Sequence, residues 1–170
     1  MQNTLISDEN DLIINQIIKS FSEYNLRDIK EIGRLADNEQ MDFVIAEFTL
    51  CSCLIDQISG FRYNTDKVGL RYKQFVRDYL PNYDPQKLYS DIRNRLVHNY
   101  SIGEFYQIAR RSDSSQPPAD SRTTRIFLTN FIGDLEDALN KFIFQLKHDV
   151  GIRCNAVKWY QRYKIIGSIT

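Results

Sequence analysis

Apolar residues recur along this chain at intervals of three and four, the repeat that lines one face of an α-helix. Ile13, Ile14, Ile17, Ile18 and Phe21 form the first stripe, opened by Ser7 and an acidic turn, Asp8 and Glu9, that suits the positive end of a helix dipole. A shorter segment carries Ile29, Ile32 and Leu35. Asn38 is a candidate cap for the next helix, whose stripe is Met41, Val44, Ile45, Phe48, Cys51, Leu54, Ile55 and Ile58, with Gly60 as its expected stop. Val68, Tyr72, Phe75, Val76 and Tyr79 mark another helix, which has to end before Pro81.

Asp84 and Pro85 open a further helix with an acidic cap and a proline at its first position. Leu88, Tyr89, Ile92, Leu96 and Val97 give its buried face, and it is expected to run to about Asn99 and to be over by Gly103. Ile102, Phe105 and Ile108 suggest a short continuation of undefined type. Residues 111–121, polar and holding Pro117 and Pro118, lack any apolar period and read as a flexible loop. The longest stripe follows: Phe127, Leu128, Phe131, Ile132, Leu135, Leu139, Phe142, Ile143 and Leu146, with Gly151 as its end. The tail 154–170, with Trp159, Tyr160, Tyr163, Ile165 and Ile166, fits either a helix or extended chain. The expected fold is all-α, a bundle of about four or five main helices in one domain over 1–170.

Composition narrows the function. Lys and Arg total 22 and balance 22 Asp and Glu, which argues against a protein that coats long nucleic acid by neutralising many phosphates. A local cationic pocket is still compatible with that balance. Cys51, Cys53 and Cys154 have no metal-ligand spacing and read as reduced thiols, and with only two histidines a zinc site built by the chain is not expected. Met1 to Asp11 is polar and acidic rather than signal-like, and no apolar run reaches bilayer length on this reading. The expected location is cytoplasmic, with no membrane partner.

One segment carries chemistry: Asp91-Ile-Arg-Asn-Arg-Leu-Val-His-Asn-Tyr100. Arg93, four intervening residues, His98, and Tyr100 two places on resemble the motif of the HEPN superfamily, a group of helical ribonucleases that need no metal. With Asn94 directly after Arg93, the match is nearest to the toxin branch of pairs formed with a nucleotidyltransferase. The motif spans eight residues, and the helical arrangement extends the likeness loosely over Asn38 to Lys147.

The resemblance implies an HEPN-like bundle, an RNA endonuclease without cofactor or metal, and no activity on DNA. His98 can move protons near neutral pH, and Arg93 presents a planar, always-charged fork to the scissile phosphate. The 2′-hydroxyl would attack, leaving a 2′,3′-cyclic phosphate and a 5′-hydroxyl. Residues five apart on an ideal helix differ by about 140° in direction, so Arg93 and His98 do not share a face, whereas Asn94 and His98 do. Asn94 is therefore a candidate to orient the imidazole or to bind phosphate. One histidine for two proton transfers, together with the resemblance, implies a homodimer with a composite cleft.

By the same resemblance Tyr100 lines the site and is a candidate acceptor for adenylyl groups from a nucleotidyltransferase antitoxin. The alternative is an HEPN-like module that binds RNA, nucleotide or a protein without cleaving. Arg110, Arg111, Arg122 and Arg125 flank the loop as RNA contacts or as solvated charge, and Arg95 divides the same way. Tyr79, Tyr83, Tyr89 and Tyr106 are better read as core than as base-stacking platforms, and His148 as a helix-end cation.

Overall fold

The computed structural model describes residues 2–39, 43–99, 101–110 and 124–164. Helix α1 covers 2–39 without a break: α-helical over Gln2–Lys19, π-wound over Ser20–Asn25 and α-helical again over Leu26–Glu39. It is followed by α2 (Val44–Tyr63), α3 (Val68–Tyr79) and α4 (85–99), then two short strands, β1 (Tyr106–Ala109) and β2 (Thr124–Phe127). Helices α5 (Leu128–His148) and α6 (Val150–Tyr163) complete an all-α bundle with six helices among the described residues, one more than the upper sequence expectation.

The apolar stripes explain the packing. Ile13, Ile14, Ile17 and Phe21 of α1, Phe48, Ile55, Ile58 and Phe61 of α2, Tyr72 and Phe75 of α3, and Phe131, Leu135 and Phe142 of α5 are buried in one continuous core. Each such side chain, fully withdrawn from water, stabilises the fold by about 1.5–3 kcal/mol before chain entropy is subtracted. Helix α2 lies at the centre and packs on α1, α3, α4, α5 and α6. It is long and apolar enough to cross a bilayer by length and composition, which corrects the expectation that no run reaches that length; 61 % of the relevant window is buried inside the bundle. Its Glu47 is fully buried and takes a charge-assisted hydrogen bond from Arg110, just past β1.

Several boundaries differ from the sequence reading. The first helix starts at Gln2, ahead of Ser7, and Asn38 lies inside it rather than capping α2. Leu35, expected on the apolar face, is exposed. Gly60 does not stop α2. It sits where a Cβ would come within 2.5 Å of the Trp159 ring, so the glycine permits α6 to approach α2 closely. The helix ends instead at Asn64 in the left-handed region, φ 48°, a conformation that asparagine tolerates better than most residues. Helix α5 ends at His148, and Gly151 lies within α6, whose cap is the Asp149 carboxylate accepting from Ile152 N.

The chain after α4 is not a helical continuation. Tyr106, Gln107, Ile108 and Ala109 pair in parallel with Thr124, Arg125, Ile126 and Phe127, so Phe127 closes a strand rather than opening α5. The ambiguous tail is helical through Tyr163. The loop expected at 111–121, Met41, Ile165 and Ile166 lie outside the described residues.

The tyrosines give the fold a pH limit. Burial pushes the hydroxyls of Tyr63, Tyr72, Tyr79, Tyr83 and Tyr106 above the ordinary phenol range, and Asp78 and Asp134 add to this at Tyr63 and Tyr83. A group whose folded pKa is raised leaves stability unaffected below its unfolded pKa and withdraws it as pH rises toward the folded one. Stability should thus be insensitive to these groups up to about pH 9 and fall above about pH 10, the unperturbed phenol value. Urea unfolding at pH 8 and 10.5, with Tyr72→Phe as the control that removes one titrating group and flattens the decline, checks this.

Candidate functional site on helix α4

The local sequence builds α4 as a fixed platform. Asp84 Oδ1 accepts from Gln86 N at 2.9 Å and Lys87 N at 2.8 Å, and Pro85 fills the first helical position, where its missing N–H costs nothing. Leu88, Ile92 and Leu96 are fully buried and seat the helix on the core. Between them the winding changes: Leu88–Asn94 is π-helical, then Arg95–Asn99 returns to α. Such wide turns are rare and are often found at functional sites.

The change of winding, together with the length of the arginine side chain, alters the geometry expected from an ideal helix. Arg93 Nη1 lies 3.0 Å from His98 Nε2, so the two residues meet within one chain. Nη1 also donates to Asn94 Oδ1 at 3.2 Å, and Nε donates to Asp56 Oδ2 of α2 at 2.9 Å. The expected pairing of Asn94 with His98 is replaced: Asn94 holds the guanidinium, and the guanidinium meets the imidazole.

A donor count shows what remains. Arginine has five N–H donors and no acceptor. Nε–H is spent on Asp56 and the two Nη1 hydrogens on Asn94 and His98, while Nη2 has no protein partner among the described residues and is not among the sealed, unpartnered polar atoms. Two N–H groups of a charged fork thus have no acceptor among the described residues. Since arginine can only donate, His98 Nε2 accepts, which puts the ring proton on Nδ1. His98 itself is exposed, whereas the Arg93 and Asp56 side chains keep only 16 % and 19 % of their surface. The guanidinium also lies 5.8 Å from the Tyr89 ring centroid, within cation–π range.

Two acidic residues that no motif announced complete the arrangement. Asp56 reaches across from α2, one turn beyond Cys53, whose thiol is pushed up by burial and by Asp56 and held back by Arg93. Asp91, buried on α4, accepts from Phe105 N at 2.5 Å and Tyr106 N at 3.1 Å and so ties the chain leaving the helix back onto it. Gly103 passes so close that a Cβ there would stand 2.0 Å from Asp91 Cγ. The signal available in the sequence was faint: a carboxylate inside an apolar helix for Asp56, and a glycine a few residues past the helix end for Asp91.

Of the four site residues named from sequence, Arg93, Asn94 and His98 come together, and Tyr100 lies outside the described residues. Arg95 is exposed. Arg110 is engaged with Glu47 and Asp37, and Arg125 with Gln107, so neither is simply solvated charge; Arg111 and Arg122 lie outside the described residues. Tyr79 and Tyr106 are core residues, Tyr83 and Tyr89 pack against the core, and the His148 ring at the end of α5 lies 4.6 Å from Phe144. No family model, curated protein or solved structure matches this chain.

Proposed function

We propose that the chain is a metal-independent RNA endonuclease of the HEPN toxin or defence type, acting in the cytoplasm through Arg93 and His98. The observation that carries the reading is the Arg93–His98 contact, with Nη2 unpartnered among the described residues and so a candidate to hold a phosphate. A phosphodiester drawn to Nη2 offers Nη1 an anionic acceptor stronger than the imidazole, and His98 Nε2 is released as a base. His98 then takes the 2′-hydroxyl proton, the 2′-oxygen bonds to phosphorus, and the bond to the 5′-oxygen breaks. Arg93 neutralises the charge that develops on the phosphoryl oxygens. The departing 5′-oxygen needs a proton, and a second copy of the motif in a two-fold dimer is its proposed source.

The reading is tested with purified protein in EDTA. Single-stranded RNA should be cut, while DNA of the same sequence and RNA methylated at every 2′-hydroxyl should survive; cutting of the methylated RNA at the wild-type rate would exclude this mechanism.

Because Arg93 and His98 meet in the same chain, the pairing is predicted to act in cis. A mixture of Arg93→Ala and His98→Ala chains, exchanged through unfolding and refolding, should stay as inactive as either alone. Recovery of a quarter or more of wild-type activity would place the two roles on different subunits. Tyr100, two residues past His98, is proposed on sequence alone as the acceptor by which a nucleotidyltransferase silences the site. A nucleotide there would add bulk and negative charge where the RNA phosphate has to bind. Intact-mass measurement of protein from its native host checks this, with a nucleotidyl mass increment absent from Tyr100→Phe as the expected result.

A further inference from the structure

We infer that Asp56 is the positioning residue of the Arg93–His98 pair, setting which edge of the Arg93 guanidinium faces the imidazole and which is left for a ligand. The inference deepens the reading above and rests on it for its catalytic consequence, but not for its geometry. A guanidinium on a flexible stem can rotate, and its fork has three distinct edges. Asp56 Oδ2 takes the Nε–H at 2.9 Å, fixing the plane, and this leaves Nη1 over Asn94 and His98 and Nη2 without a partner among the described residues. Asp56 can do this because it is itself held on α2, the central helix of the core, rather than on a mobile loop.

The surroundings of Asp56 support a fixed role. Its Oδ1 is sealed from solvent with no hydrogen-bond partner among the described residues, so that oxygen is not solvated. Asp56 also acts through its charge on Arg71, itself buried, donating from Nη1 to Thr65 O at 3.1 Å and lying 4.9 Å from the Trp159 ring centroid. Burial lowers the proton affinity of Arg71, and the charges of Asp56 and Asp66 work against that. Asp56 thus acts on two cations, Arg93 through a direct ion pair and Arg71 through charge without a direct bond among the described residues. Removing its charge takes the ion-pair partner from Arg93 and leaves Arg71 with Asp66 alone of the two carboxylates, while replacing Arg93 leaves Asp56 with Arg71 still acting on it.

The experiment reads the His98 tautomer by long-range proton–nitrogen NMR at a pH where the ring is neutral. In the wild-type chain Nε2 accepts from Arg93, so the Nδ1–H form should dominate, the reverse of a free imidazole in water. Asp56→Asn should return His98 to the Nε2–H form, as should Arg93→Ala. Should Asp56→Asn fail to fold, Arg93→Lys serves in its place: its single ammonium cannot occupy Asp56 and His98 with a rigid fork, so the tautomer should again revert. An unchanged Nδ1–H tautomer in the variant that folds overturns the inference.

The catalytic arm uses a double-mutant cycle. Asp56→Asn should lower kcat 10- to 100-fold with KM changed less than threefold, and should have no further effect in an Arg93→Ala background. Equal losses in both backgrounds would mean that Asp56 supports the fold rather than Arg93. A wild-type chain that cuts no RNA but shows the Nδ1–H tautomer, lost in Asp56→Asn, removes the ribonuclease reading and leaves the positioning role standing.

Discussion

His98→Ala should lower RNA cleavage by about 10²–10⁴-fold, the range expected when a proton-transferring side chain is removed. Arg93→Ala should cost at least about 10²-fold, the magnitude typical of deleting one electrostatic contact to a charged transition state. His98 is exposed, and Arg93 faces Asp56 of α2 and is not one of the fully buried apolar residues Leu88, Ile92 and Leu96 that seat α4, so the helical content should be unchanged in either variant. The two losses should not add. Arg93 touches both His98 and the proposed phosphate, and residues sharing one contact network couple. Cleavage assays on the two single variants and the double, with far-ultraviolet circular dichroism on each, are the check; a double variant whose loss equals the product of the singles would mean that the pair does not work as a unit.

The second large effect concerns stability. Gly103→Ala puts a methyl group 2.0 Å from Asp91 Cγ, and the Asp91 side chain is buried and already committed to two backbone N–H groups. It cannot move aside without abandoning Phe105 N and Tyr106 N, and an unsatisfied buried donor costs about 1–3 kcal/mol. A destabilisation of roughly 2–4 kcal/mol is therefore expected, a fall in Tm of about 5–15 °C for a chain of this size. Asp91→Ala alone should also destabilise, through the orphaned N–H groups. In the Asp91→Ala background, however, the contacts with Cγ and Oδ1 are gone and only the Cβ contact, 2.6 Å, remains, so Gly103→Ala should cost less there without becoming neutral. Thermal unfolding of the three variants measures this coupling, and additive losses would show that the two residues do not oppose each other.

Much of the architecture follows from period alone. The apolar stripes of α2, α3, α4 and α5 are the buried faces observed, because a 3.6-residue repeat leaves little freedom about which side meets the core. The Asp84–Pro85 cap was equally legible, since an acceptor side chain and a residue without an N–H have few other uses side by side. Stops were harder. Gly60 and Gly151 are the usual terminators, but here the first serves the approach of Trp159 and the second lies inside α6, and the left-handed stop of α2 is taken by Asn64. The strands were hidden because four residues are too few to separate a period of two from a period of four.

The site was legible in its composition and not in its geometry. Arg93, Asn94 and His98 stand out from spacing, but an ideal α-helix predicts that Arg93 and His98 diverge. The π-wound stretch Leu88–Asn94 is invisible in the sequence, because wide turns come from tertiary packing rather than from any residue preference. Asp56 and Asp91 were missed for the same reason. Each acts on a residue distant in the chain, Asp56 on Arg93 across 37 positions and Asp91 on Phe105 across 14, and a single sequence carries no record of such pairs.

The central claim is that Arg93 and His98 cleave RNA by using its own 2′-hydroxyl. The most direct test is mass spectrometry of the product ends after wild-type protein has acted on a defined RNA in EDTA. Fragments ending in a 2′,3′-cyclic phosphate paired with 5′-hydroxyl fragments, and absent with His98→Ala, are the predicted result. Ends bearing a 3′-hydroxyl and a 5′-phosphate, or intact RNA throughout, would contradict it.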